Sequence, residues 1–181
     1  VEVKDGAVAE NTVTLKADEG SIAVNGAVTS ADEDVIAAAD GDLTSDAISA
    51  NGKVVLTSNK GNVQTGALTA ENESVTVEAK DGITANGAVQ ARKEVSLLSK
   101  TGAISAGAGV TSEEEDVTIN AKGDITANGA VQAGKEIALS SAVDNLDSKI
   151  DESKILTDTA TGDKYILVVT NGVLSVEQIS N

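Results

Sequence analysis

The sequence predicts an all-β fold: a three-sided parallel β-solenoid of about seven coils of 20–21 residues over residues 1–142, followed by a carboxy-terminal helix and β-hairpin over 143–181. Three observations predict it. Gly20, Gly41, Gly61, Gly82, Gly102 and Gly123 recur at intervals of 21, 20, 21, 20 and 21 residues, and self-similarity at a fixed period of this length marks an architecture of stacked units. Apolar columns travel with the glycines. One holds Ile22, Leu43, Val63, Ile83, Ile104 and Ile125; a second holds Val28, Ile48, Leu68, Val89, Val110 and Val131; a third holds Val35, Val54, Val75, Val95, Val117 and Ile137. Each apolar peak also alternates with period two, as a half-buried strand does. Three such peaks per repeat mean three short strands per coil.

The coil from Gly82 to Thr101 shows how each element arises. Ile83 and Ala85 point inward, Asn86-Gly87 turns the chain, and Val89 and Ala91 point inward again. Arg92-Lys93-Glu94 makes the next corner, and Val95 and Leu97 complete the third side. The coil that starts at Gly123 repeats this almost residue for residue. Corner glycines are expected to supply backbone angles that side chains forbid. Inward positions after the second column are small throughout: Ala50, Ala70, Ala91 and Ala133, with Ser30 and Ser112 in the remaining coils. A narrow triangular core has no room for more, which accounts for a protein without Phe, Trp or Met. Seven coils at the usual strand spacing of about 4.8 Å span roughly 34 Å, counting a partial coil from Val1 to Glu19.

The corner between the second and third sides alternates in charge. Asp32-Glu33-Asp34, Glu71-Asn72-Glu73 and Glu113-Glu114-Glu115-Asp116 are acidic, while the corners between them carry Lys53, Arg92-Lys93 and Lys135. The true unit is therefore two coils, about 41 residues. Exposed pairs contribute only about 0–1 kcal/mol each, so their expected role is register: a slip by one coil would set like charge against like.

Composition narrows the function. The net charge of −16 argues against nucleic acid and anionic membrane surfaces as partners. Cysteine, histidine and tryptophan are absent and Tyr165 is the only aromatic residue, which removes thiol, imidazole and stacking chemistry. No apolar run approaches the length of a membrane span. No leader is visible before Val1, so either one has been removed or the chain is a piece of something longer.

The repeat G-x-I-x-A-x-G-A-V-x-A-x-x-x-V-x-L-x-A, as it stands from Gly123 to Ser141, resembles the repeats of filamentous-haemagglutinin-type adhesins, bacterial surface proteins of the two-partner secretion group. The resemblance covers residues 1–142 and implies a right-handed parallel β-helix at the cell surface or outside the cell. It carries over no catalytic or ligand residue.

Beyond Ala142 the period stops. Val143, Leu146 and Ile150, spaced three and four apart within residues 143–155, predict a short amphipathic helix. Asn171-Gly172 between Lys164–Val169 and Val173–Ile179 predicts a hairpin. The segment is similar to the carboxy-terminal oligomerising modules of some phage and bacterial fibre proteins. Leu146, Ile150, Tyr165, Leu167, Val169 and Val173, together with Val1 and Val3 at the opposite end, are the expected self-association residues. An uncapped solenoid end exposes open backbone groups and a slice of core.

Carboxylates are the only groups here capable of site chemistry. Glu113, Glu114, Glu115 and Asp116 are the one calcium candidate, although a solvated acidic corner explains them as well. Paired acids can hydrolyse glycosides, but carbohydrate enzymes tend to offer aromatic platforms that this chain lacks. Thr44, Thr84, Thr126 and Ser105 form an outer hydroxyl column that Ala23 and Gln64 interrupt, which weakens an ice-binding reading. The expectation is a non-catalytic structural protein without a cofactor, self-associating outside the cell or at its surface. The alternative is an adhesin-like module binding a cell-surface receptor or glycan; a carbohydrate-active enzyme is remote.

Overall fold

The computed structural model describes residues 1–141, and beyond them the backbone of three strands, Ile155–Thr157, Lys164–Thr170 and Val173–Gln178. The chain divides into two compact units, Val1–Ala142 and Val143–Asn181.

The first unit is a parallel β-solenoid of seven coils and three seven-stranded sheets. In the fifth coil the sides are Ile83–Ala85, Val89–Ala91 and Val95–Ser99. Every strand of a sheet pairs in parallel with the equivalent strand one coil away. Val89 pairs with Val110 and Val110 with Val131, while Ala91 lies against Ser112. The third side runs Val54, Val75, Val95, Val117, Ile137 without a register shift. The first coil already has all three sides, Glu2–Val3, Ala7–Ala9 and Val13–Ala17, and so is complete where the sequence predicts a partial one.

Burial follows the period-two pattern. Ile22, Val28, Val35, Leu56, Val63, Leu68, Val75 and Val95 are all within 1 % of complete burial. Like residues stack on like, so β-branched and small side chains fill the section without an aromatic ring.

Two features of the corners were not legible in this form. The first concerns glycine. Among the described residues only Gly6, Gly20 and Gly26 have positive φ, so unusual backbone angles do not explain the ladder from Gly41 to Gly123. Close approach does at each of these glycines except Gly82, whose nearest neighbours leave 3.2 Å. A Cβ on Gly102 would lie 2.8 Å from the carbonyl carbon and oxygen of Asp81, and one on Gly123 would lie 2.8 Å from the amide nitrogen of Ala103. The corner backbones rest directly on one another.

The second feature is a set of buried serines that tie coils together. Ser58 Oγ donates to the Gly41 carbonyl at 2.8 Å and accepts the Gly61 amide at 3.1 Å. Ser30 and Ser112 bridge the corner between the second and third sides in the same way, to Asn11 and Lys93 in the preceding coil. Ser99 does so with Asp81 and Gly102. A hydroxyl at an inward corner position meets an acceptor in one coil and a donor in its own. No buried side-chain polar atom among the described residues lacks a partner.

In the second unit the three strands form one antiparallel sheet in the order Ile155–Thr157, Lys164–Thr170, Val173–Gln178. The two predicted hairpin strands pair, with Thr170 opposite Val173. The strand at Ile155–Thr157 is additional, and it takes Ile155 out of the predicted helical segment. The predicted helix positions Leu146 and Ile150, and the Asn171-Gly172 turn, lie outside the described residues.

Candidate functional site

The solenoid segregates its charge. The corner between the second and third sides forms one charged edge, where cations from alternate coils reach acids in adjacent coils. Lys53 Nζ lies 3.6 Å from Asp34, Lys93 Nζ 2.7 Å from Glu73, Arg92 Nε 2.8 Å from Glu114, and Lys135 Nζ 4.0 Å from Glu115. A chain of amides runs beside them: Asn51 donates to the Asp32 carbonyl, Asn72 to Asn51 Oδ1, and Arg92 to Asn72 Oδ1. The hydrogen bond that Arg92 donates to Glu114 holds its guanidinium above the ordinary pKa, and the one that Lys93 donates to Glu73 does the same for its ammonium. The charge alternation of the sequence is thus a physical ladder.

The corner between the third side and the next coil is a second charged edge. Lys60 pairs with Asp40 at 2.8 Å, and Lys100 pairs with Glu78 at the end of the third side. Side chains here also cap the next backbone. Ser21 Oγ accepts the Asp42 amide, Asp42 Oδ1 accepts the Asn62 amide, and Asn62 Oδ1 accepts the Gly82 amide.

The calcium candidate is spread along the first edge. Glu114 is engaged by Arg92, Glu115 faces Lys135, and Asp116 Oδ1 accepts the Glu136 amide at 3.0 Å. Glu113 lines a groove of about 590 Å³ with Thr111, Gln132, Gly134 and Ile137. Among the described residues no three acidic side chains gather as a metal site. Glu114, Glu115 and Asp116, adjacent in sequence, thus turn to three separate partners.

From the second coil onward, the first two sides and the corner joining them are nearly uncharged. Segments 22–30, 43–50, 63–70, 83–91, 104–112 and 125–132 contain the first two sides and the corner joining them, and together they carry one charge, Asp46. Outward positions on the second side are Thr29, Ser49, Thr69, Gln90, Thr111 and Gln132, in register from coil to coil. On the first side the hydroxyl column is interrupted by Ala23 and Gln64, as the sequence predicts. The corner between them is built of Gly, Ala and Asn in most coils. In a chain of which 23 % of residues are charged, this is a broad neutral face, rich in hydroxyl and amide groups. The sequence contains the signal, but it appears only once the coils are superimposed.

At the first coil, Val1 is 56 % exposed and Val3 is half-buried against the core. At the last, Ile137 and Leu139 are 44 % and 55 % exposed although their equivalents one coil earlier, Val117 and Ile119, are buried. Tyr165, Leu167, Val169 and Val173 lie in the strands of the second unit. No family model, curated protein or solved structure matches this chain.

Proposed function

We propose that this chain is a structural protein: a rigid β-solenoid, of the right-handed sense that the resemblance of its repeats implies, serving as a stalk, spacer or filament subunit outside the cell. One observation carries this reading. All seven coils continue three parallel ladders in register, and the corners between the second and third sides differ by no more than a residue in length. Sites on solenoids grow from loops inserted on one face, whereas an uninterrupted ladder resists bending along its whole length. The absence of histidine, cysteine and aromatic platforms supports a non-catalytic role.

Self-association completes the proposal, end to end, through residues 143–181, or both. The half-exposed Ile137 and Leu139 support it, because they are core positions of the repeat. So does charge. The last coil bears Lys135 at its corner and the first bears Glu10 at the equivalent place, so head-to-tail stacking would set opposite charges side by side. Light scattering and negative-stain imaging over a wide concentration range test this. Elongated assemblies are expected. A stable monomer throughout would overturn the filament, and a compact particle would overturn the stalk as well.

A second reading, an adhesin-like module, is supported by the neutral face. Its in-register hydroxyl and amide groups offer paired donors and acceptors to an uncharged partner such as a neutral glycan. Glycan-array binding that is lost on placing Lys at Thr69 and Gln90 would favour it over the stalk.

A further inference from the structure

We propose that Asn128 is a self-acting modification site, converted to aspartate and isoaspartate by the backbone nitrogen of Gly129, and that the solenoid itself sets which Asn-Gly pairs react. The solenoid contains four such pairs: Asn25-Gly26, Asn51-Gly52, Asn86-Gly87 and Asn128-Gly129. In this reaction the glycine nitrogen loses its proton and bonds to Cγ of the asparagine. The Cγ–Nδ2 bond breaks, ammonia leaves carrying a proton, and a five-membered succinimide remains. Water then opens either carbonyl of the ring, giving aspartate or, with one extra carbon in the main chain, isoaspartate. No reactant beyond water is needed. The glycine N–H must be free to ionise and approach, and the asparagine side chain must be free to swing onto it.

The four pairs differ in both respects. The Gly52 N–H donates to the Glu33 carbonyl at 2.8 Å, and half-buried Asn51 is held at both ends, donating to Asp32 and accepting from Asn72. Asn51 is locked twice. The Gly87 N–H has a long bond to the Gly66 carbonyl at 3.3 Å, and Asn86 is exposed. Among the described residues the N–H groups of Gly26 and Gly129 have no acceptor, and Asn25 and Asn128 make no side-chain hydrogen bond. Asn128 and Gly129 are both exposed, and they lie in the last of the stacked coils. Asn25-Gly26 lies in the second coil, with a coil stacked on either side, and Gly26 is half-buried where Gly129 is exposed, so less movement is open to it. The expected order is Asn128, Asn25, Asn86, Asn51.

The product matters to the surface described above. Conversion at Asn25, Asn86 or Asn128 places a carboxylate on a face that carries one charge, Asp46, from the second coil onward. Isoaspartate also lengthens a corner backbone that sits on its neighbour: a Cβ on Gly129 would already lie 2.5 Å from the Gly109 nitrogen. The modified corner cannot keep its place on the stack, so the last coil loosens.

Incubating the full chain in mildly alkaline buffer, with peptide mapping by mass spectrometry over time, tests the proposal. Asn128 is expected to convert at least about tenfold faster than Asn51, which must wait for local opening of its coil. In concentrated urea the four pairs should converge to similar rates. Equal rates at Asn51 and Asn128 in the folded chain would overturn the proposal. So would an order that persists in urea, which would place the cause in local sequence, or a folded chain in which Asn128 stays intact while urea releases the reaction.

Discussion

Replacing Gly102 with alanine isolates the force that makes glycine recur once per coil. Its Cβ would sit 2.8 Å from the carbonyl carbon and oxygen of Asp81 and 2.9 Å from the Gly82 nitrogen. These are backbone atoms, so no side chain can swing away. Relief requires the corner to lift by several tenths of an ångström, against Gly102 N–H to Asp81 at 3.1 Å and Gly123 N–H to Gly102 at 2.8 Å. Overpacking of this kind costs about 1–3 kcal/mol. Alanine restricts the unfolded chain and returns about 0.4–1 kcal/mol, leaving a net loss of about 1–2 kcal/mol. Gly82 is the internal control. Its Cβ would meet Ala103 O and Asn62 Oδ1 at 3.2 Å, so Gly82→Ala should be near neutral by the same balance. Urea titration followed by far-UV circular dichroism compares the two. Because solenoid coils can melt in series, hydrogen exchange at Ile83–Ala85 and Ile104–Ala106 should show that the loss is local. If Gly102→Ala is no less stable than Gly82→Ala, close approach is not the reason for the ladder.

Three further outcomes are expected. Ala91→Leu places a larger side chain where Ala70 and Ser112 leave room only for small ones, and should cost about 1–3 kcal/mol in the same titration; an unchanged midpoint would contradict the register. Converting Lys53, Arg92 and Lys93 together to Glu should destabilise the solenoid at low salt and recover as salt screens the repulsion over about a Debye length, whereas a salt-independent loss would point to packing. Because Lys93 has its pKa raised by Glu73, the stability from this pair is fully present below the ordinary lysine value of 10.5 and declines as pH rises through the higher folded value. A Lys93→Met variant should therefore show a flatter stability profile across that alkaline window, and identical profiles would remove the pair from the account.

The solenoid was legible because its core is one-dimensional. A position that faces inward in one coil faces inward in all, so Ile83, Ile104 and Ile125 report the same environment three times over. The charged edge was legible for the same reason, since Lys93 and Glu73 are one coil apart both in sequence and in space. The serine clamps were not. Ser30 and Ser112 read as merely small, and the alternation of Ser58, Ala79, Ser99, Ala121 and Ser141 gains meaning only when each hydroxyl is seen reaching a carbonyl in the coil before.

Periodicity alone determined the number of coils, the three sides, the inward columns and the pairing of charges, because each depends on which residues recur and not on how far apart the backbones lie. Distance was left to the tertiary structure. It decided that glycine from Gly41 onward serves contact between corners while only Gly6, Gly20 and Gly26 among the described residues take positive φ, that Glu114, Glu115 and Asp116 turn to separate partners, and that one Asn-Gly pair is locked while another is open. Backbone separation and hydrogen-bond partners are properties of the stack, and no single repeat contains them.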